Sequence, residues 1–212
     1  SPKITDKIKE NFGKNFKFYK ADIYLEDKSV RSIFLSNEPY IVVHFAALKS
    51  ISDSYLNPKK YYDNNVGSTR NLLDSMVLSK CKNIIYSSSA AVYGDQIIQP
   101  VHEKMTTLPD SPYAKSKLKC ETLIEKFSIK NSLNAVSLRY FNPIGSHSKK
   151  IIFEQINSKD GNIIQEIIKT AIGKKLNFKI YGGDHPTEDG TCERDYIHTD
   201  DLARAIHLVS DK

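Results

Sequence analysis

The sequence predicts an α/β protein built on a doubly wound parallel sheet, and three observations predict it. Short apolar runs such as Ile41-Val42-Val43 and Ile84-Ile85-Tyr86 alternate with longer segments whose apolar residues recur at helical spacing. Strands separated by helices pair in parallel through right-handed crossovers. The residues able to do chemistry stand just after the strands, where an open parallel sheet binds its ligands.

Ser1 to Phe12 is polar and lysine-rich and does not begin with methionine, so the chain is expected to be part of something longer. Phe16 to Ala21 reads as a short strand ending at Asp22, and Asp27 as the cap of a short helix carrying Val30, Ile33 and Phe34. Tyr40 to Ala46 is the next strand, its Ile41-Val42-Val43 run matching a strand buried on both faces. Asn57 and Pro58 read as cap and first residue of a helix reaching about Lys80, with Tyr62, Val66, Thr69, Leu73 and Met76 as its apolar stripe.

The strand from Ile84 to Ser89 follows, then a loop from Pro100 to Pro109. A helix then runs from Ser111-Pro112 to about Lys130, and Ala135 to Phe141 forms another buried strand. Beyond Asn142 the pattern loosens. Gly145 to Gly161 reads as loop, Ile163 to Ile172 as helix, Phe178 to Tyr181 as a short strand and Gly182 to Pro186 as a turn cluster. A last helix starts near Thr199-Asp200 and carries Leu202, Ile206 and Val209. The expected division is a partial cofactor domain over 1–142 and a partial substrate-binding region over 143–212.

At 212 residues the chain can enclose one α/β core, and its 40% hydrophobic and 26% charged content is that of an ordinary globular protein. No apolar run approaches the ~20 residues of a membrane span. The net charge of +6 is scattered among Asp, Glu and Asn rather than concentrated, which argues for a solvated surface over a nucleic-acid or membrane partner. Cys81, Cys120 and Cys192 are odd in number and far apart, pointing to a reducing compartment, the cytoplasm.

The centre of interest is the stretch from Ile84 to Lys117. With Ser111 as N-cap and Pro112 as first residue, Tyr113 and Lys117 fall four apart on one helical face, which continues through Cys120 and Ile124 and therefore turns inward. Two charges about 4 Å apart interact by roughly 4 kcal/mol at an effective dielectric of 20. That would lower a tyrosine pKa of ~10 by about three units and make it a usable acid and base. An isolated Tyr-x-x-x-Lys more often means a packed ring and a lysine reaching to water. Here the flanking motifs favour chemistry.

Those motifs are His44-Phe45-Ala46-Ala47-Leu48-Lys49, Tyr61-Tyr62-Asp63-Asn64-Asn65-Val66, Ser87-Ser88-Ser89-Ala90-Ala91-Val92-Tyr93-Gly94, Ser111 to Lys117, Arg139-Tyr140-Phe141-Asn142-Pro143, Pro186 to Thr191 and Arg194-Asp195-Tyr196-Ile197-His198. In this set and order the chain resembles the extended short-chain dehydrogenase/reductase superfamily, and within it the UDP-hexose 4-epimerases, from about Lys14 onward. The resemblance implies a Rossmann-like fold, here without the first strand-helix-strand unit. It also implies bound NAD, a UDP-hexose substrate and interconversion of UDP-glucose and UDP-galactose through a 4-keto sugar. A homodimer is implied for the full-length protein.

Carried over by residue, the resemblance makes Tyr113 the base for the sugar 4-hydroxyl, Lys117 the group that lowers the Tyr113 pKa and holds the nicotinamide ribose, and Ser89 a hydrogen-bond partner of the reacting oxygen. Asp22 and Ile23 would border the adenine. Phe45, Ala46, Ala47, Leu48, Lys49, Asn65, Ser87, Tyr140 and Phe141 would line the dinucleotide. Asn142, Asn162, Lys179, Ile180, Tyr181 and Arg194 would contact the UDP-sugar, Arg194 gripping its diphosphate. For Asn65 a core amide bonded to backbone is an equal alternative. Without its flanking motif, Arg194 would more readily be read as a surface ion pair with Asp195 or Glu193. His44, in a buried strand, reads as a satisfied core histidine rather than a metal ligand.

The sequence also departs from the family. None of the nine glycines forms a glycine-rich phosphate turn before Phe16, so a non-catalytic sugar-nucleotide-binding remnant is the alternative to an enzyme. Lys149 to Phe153 replaces small, acidic and proline residues, and Ala91 stands where a threonine is common. A related dehydratase is disfavoured, because Ser88-Ser89-Ala90 offers no carboxylate.

Overall fold

The structure, a computed structural model, describes residues 2–25, 27–147, 163–180 and 182–211. Its helices are α1 Pro2–Phe12, α2 Asp27–Asn37, α3 Ile51–Leu56, α4 Pro58–Leu78, α5 Pro112–Asn131, α6 Ile163–Ala171 and α7 Thr199–Ser210. Its strands are β1 Ile41–His44, β2 Asn83–Ser87, β3 Asn134–Leu138, β4 Asn142–Ile144 and β5 Tyr196–His198. They divide into two compact units, Lys17–Tyr140 with Ile206–Lys212, and Ser1–Phe16 with Phe141–Ala205.

The first of these holds a parallel three-stranded sheet in the order β1-β2-β3, with Val42 opposite Ile84 and Ile84 opposite Ala135. Ile84 and Tyr86 point from β2 into a core made with Val30 and Phe34 of α2, Leu72, Leu73 and Met76 of α4, and Cys120 and Ile124 of α5. Each such side chain contributes about 1.5–3 kcal/mol by leaving water. On the opposite face Ile85 is buried, whereas its flanking neighbours Val43 and Val136 are each 38% exposed.

That asymmetry corrects the expectation that the strands of Tyr40 to Ala46 and Ala135 to Phe141 are fully buried. Both lie at edges of this sheet, and β3 is exposed along most of its length. Phe16 to Ala21 forms no strand, since a strand needs a neighbour for its amides and carbonyls and the described ladder ends at β1. The α4 stripe contains Tyr61, 1% exposed, in place of Tyr62, 48% exposed. Pro58 opens α4 as expected, but the Asn57 side chain donates to Asp53 instead of capping the helix.

The turn after Phe16 to Ala21 is nonetheless held. Asp22 Oδ1 accepts from the amides of Tyr24 and Leu25 at 2.9 Å, and Asn71 of α4 donates to the carbonyls of Ile23 and Tyr24 at 3.0 Å. Gly67 allows this close approach, because a Cβ there would stand 2.6 Å from the Tyr24 ring.

The second unit carries α1, α6 and the parallel pair β4 and β5, in which Asn142 faces Tyr196. This pair was not legible in the loosened sequence pattern. Phe178 to Ile180 is irregular, which corrects the short strand expected there. Among the described residues no helix is long and apolar enough to cross a membrane.

Candidate active site

The site is built from α5 outward. Ser111 Oγ accepts the amide of Ala114 at 3.2 Å and Pro112 occupies the first turn, so the helix starts where the sequence places it. Tyr113, Lys117, Cys120 and Ile124 then share a face, and Lys117 is only 3% exposed. Its ammonium donates to the main-chain carbonyl of Ser87 at 2.7 Å, at the end of β2. It also lies 5.0 Å from the Tyr86 ring centre and 5.9 Å from that of Tyr113. Burial pulls its pKa from 10.5 to about 8, against the opposing pull of Cys120 and Glu121.

Tyr113 behaves differently from expectation. Burial raises its hydroxyl above the ordinary value of 10, with Ser89 the neighbour that favours the ionised form. The ammonium is beside the ring, yet the desolvation of a phenolate outweighs what Ser89 returns, so the expected depression of the Tyr113 pKa does not hold in the chain without cofactor.

The serine run meets the helix with three separate grips. Ser87 hydrogen-bonds the Tyr140 hydroxyl and gives its carbonyl to Lys117. Ser88 donates to the Glu121 carboxylate. Ser89 faces Tyr113 while its hydroxyl accepts the amide of Ala91 at 3.2 Å, capping the short turn Ala90–Tyr93. The main chain is pinned as well, Ser88 N donating to Leu138 O and Ala90 N to Tyr140 O, each at 3.0 Å.

After β1 the chain from Phe45 to Lys49 is a loop in which Phe45, Ala46 and Lys49 are exposed while Ala47 and Leu48 are half-buried. Asn65 fixes it. Its amide accepts from Leu48 N at 2.8 Å and donates to Leu48 O at 3.1 Å, with further bonds to Ser116 Oγ and from Asn64. Both donors and both acceptor sites are used within the protein, so of the two readings of Asn65 the amide bonded to backbone is the one the geometry displays. His44 is buried, bonded to Thr69 at 3.1 Å, and kept neutral by burial and the Lys117 charge, its pKa lowered to about 4.

In the other unit, Phe141 and Asn142 are exposed at β4, and Asn142 donates from main chain and side chain to Asp195 O at 3.3 and 3.0 Å. Arg194, next to that anchor, is exposed and donates to the Glu193 main-chain carbonyl at 2.6 Å rather than to a carboxylate. Lys179 and Ile180 are exposed. Asn162 and Tyr181 lie outside the described residues, as does Lys149 to Phe153.

One group went unread in the sequence. Glu121, one turn beyond Lys117, receives Arg139 in a two-pronged ion pair with the shortest contact at 2.6 Å, and Arg139 also donates to the Tyr93 hydroxyl at 3.0 Å. The available signal was the placement of Glu121 at helical spacing from Lys117, on the inward face.

A parallel sheet whose central strand ends in serines, met by a helix carrying a tyrosine and a buried lysine four residues apart, defines a short-chain dehydrogenase/reductase type of protein. The model of the family described as NAD dependent epimerase/dehydratase matches residues 3–212, and the chain belongs to that family. It is 38% identical over 204 residues to the UDP-glucose 4-epimerase of Bacillus subtilis, covering 96% of this chain and 60% of that protein. To the Drosophila melanogaster UDP-glucose 4-epimerase it is 39% identical, covering 100% of this chain and 61% of the relative. The crystal structure of UDP-glucose 4-epimerase from Bifidobacterium longum in complex with NAD+ and UDP superposes with a TM-score of 0.92 at 37% identity, over 100% of this chain and 63% of that one. The chain thus spans about three fifths of the length of the relatives it matches.

Proposed function

We propose that the chain carries the catalytic wall of a UDP-glucose 4-epimerase that interconverts UDP-glucose and UDP-galactose with NAD. The observation that carries this reading is the buried Lys117 ammonium fixed to Ser87 O beside Tyr113, with Ser89 facing the phenol. Buried ammonium groups are costly and are retained where chemistry uses them. NAD, when bound, supplies the hydride acceptor and a cationic ring.

The residues fit the nicotinamide end of that cofactor. Lys117 spends one of its three donors on Ser87 O, leaving two for ribose hydroxyls. Tyr113, ionised once the cofactor's cationic ring stands beside it, would take the sugar 4-hydroxyl proton, and Ser89 would hold the same oxygen within reach. The Phe45 to Lys49 loop, with Asn65 as its support, and Ser87, Tyr140 and Phe141 line the dinucleotide, with Asp22 and Ile23 at the adenine. Asn142, Asn162, Lys179, Ile180, Tyr181 and Arg194 hold the UDP-sugar. Residues 1–142 then form the partial cofactor domain and 143–212 the partial substrate region. Three free thiols agree with a cytoplasmic setting, and we assign a homodimer to the full-length protein.

Supplying the chain with NAD and UDP-galactose tests this reading. Appearance of UDP-glucose, lost in Tyr113→Phe, is the expected result, and no turnover with NAD demonstrably bound would overturn it. A second reading is a chain that binds the sugar nucleotide without turning it over. Retention of UDP-galactose without NAD binding would support that one.

A further inference from the structure

We propose that the Glu121–Arg139 pair is the positioning device of the reacting groups, locking α5 to the ends of β2 and β3 so that Tyr113 and Lys117 meet Ser89 in fixed register. This rests on the reading of Tyr113 and Lys117 as the reacting pair.

The geometry ties α5, the serines after β2 and the residue after β3 to one carboxylate. Glu121 takes the Ser88 hydroxyl on one oxygen and the Arg139 guanidinium on both. Arg139 leaves β3 next to Tyr140, whose hydroxyl holds Ser87, and its remaining arm bonds the Tyr93 hydroxyl that closes the turn begun at Ser89. The guanidinium also stacks 4.9 Å from the Tyr93 ring centre. The Glu121 side chain is 10% exposed and that of Arg139 22%, so water competes little for these bonds. Two planar ions joined by a fork tolerate little sliding or rotation. The helix carrying Lys117 and Tyr113, one and two turns before Glu121, therefore keeps its register against Ser88, and the serines on either side are set with it.

A partly buried ion pair is weak evidence for stability, since neutral side chains of similar size often replace one at no cost. That separates positioning from mere structure. The test uses Glu121→Gln and the double variant Glu121→Leu/Arg139→Met, which leaves no unpaired charge if the single variant folds poorly. The first readout is 13Cε-lysine NMR, with the Lys117 signal assigned by Lys117→Arg. Lys117 is faced by Glu121, Cys120 and Tyr113 from α5, by Tyr86 from β2 and by His44 from β1. Loss of the carboxylate is expected to move its titration to lower pH and to leave the other lysines in place.

The second readout is turnover of UDP-galactose. The double variant is expected to unfold at a denaturant concentration near that of the wild type yet lose about 10²-fold in kcat, the cost of an ångström-scale misplacement, with KM little changed. Arg139→Lys, which keeps the charge without the fork, is expected to fall between. A well-folded double variant with unaltered Lys117 titration and unaltered kcat would overturn the proposal, as would a kcat loss explained wholly by unfolding. If wild type shows no turnover with NAD demonstrably bound, the epimerase reading fails, while the Lys117 titration still decides whether Glu121 acts on the lysine.

Discussion

The Lys117 ammonium donates to the Ser87 carbonyl at 2.7 Å, so the charged end of the α5 lysine is fastened to main chain rather than to a carboxylate. A carbonyl compensates a buried cation only in part, and burial accordingly holds the Lys117 pKa at about 8 against an ordinary 10.5.

The stability consequence has a definite sign. Between those two pKa values the unfolded chain binds more protons at Lys117 than the folded one, so folding becomes more favourable as pH rises from 8 toward 10.5. Measured by urea unfolding, the stability of wild type relative to Lys117→Met is expected to rise by about 2 kcal/mol from pH 7 to pH 9.5. A difference that stays flat or falls over this range contradicts the burial of a charged lysine.

Tyr113 gives a prediction of the opposite kind. Its hydroxyl, raised above 10 chiefly by burial, is expected to stay protonated through neutral pH in the chain without cofactor. 13Cζ-tyrosine NMR with Tyr113→Phe as the assignment control reads this directly, and a midpoint below 10 contradicts it. In a chain that turns over UDP-galactose, Tyr113→Phe removes the acid-base group and is expected to cost about 10²–10⁴-fold in kcat.

Much of this site was legible from residue types and spacing. Ser111 and Pro112 announced the start of α5, and the shared face of Lys117 with Cys120 and Ile124 pointed inward, where the lysine is found. What escaped were properties set by neighbours distant in the chain. The exposure of Val43 and Val136 depends on which strands lie beside them, and the Tyr113 pKa depends on how much water its ring loses. Glu121 and Arg139 are 18 residues apart, and no local pattern pairs them. The short β4 and β5 have three residues each and no apolar alternation to betray them.

His44 predicts an acid limb. Burial is the larger cause and the Lys117 charge the smaller in lowering its pKa from 6.5 to about 4, so below pH 6.5 the unfolded chain takes up a proton that the folded chain refuses. Stability is therefore lost as pH falls from 6.5 toward 4, by about 2 kcal/mol between pH 7 and pH 5 from this residue. His44→Asn, which still offers a polar partner to Thr69, is expected to flatten that part of the pH–stability curve. An unchanged slope would show that other groups account for acid unfolding.

Asn65 separates support from contact. Its amide closes two bonds with Leu48, one with Ser116 and one from Asn64, and the Ser116 hydroxyl in turn donates to the Tyr113 carbonyl at 2.7 Å. The loop after β1 and the first turn of α5 are thus tied through one side chain that is 1% exposed. Asn65→Asp keeps the shape but replaces the donating NH2 group with an acceptor oxygen facing the Leu48 carbonyl and the Ser116 hydroxyl. Asn65→Ala takes the side-chain partner from both main-chain groups of the half-buried Leu48, at about 0.5–1.5 kcal/mol for each bond lost. Both variants are expected to lower the urea midpoint and to speed amide hydrogen exchange at Leu48, with the Asp variant the more damaging below the core because it adds a buried charge. Exchange at Leu48 that matches wild type in both would place the hold on this loop elsewhere and return Asn65 to the role of a direct ligand contact.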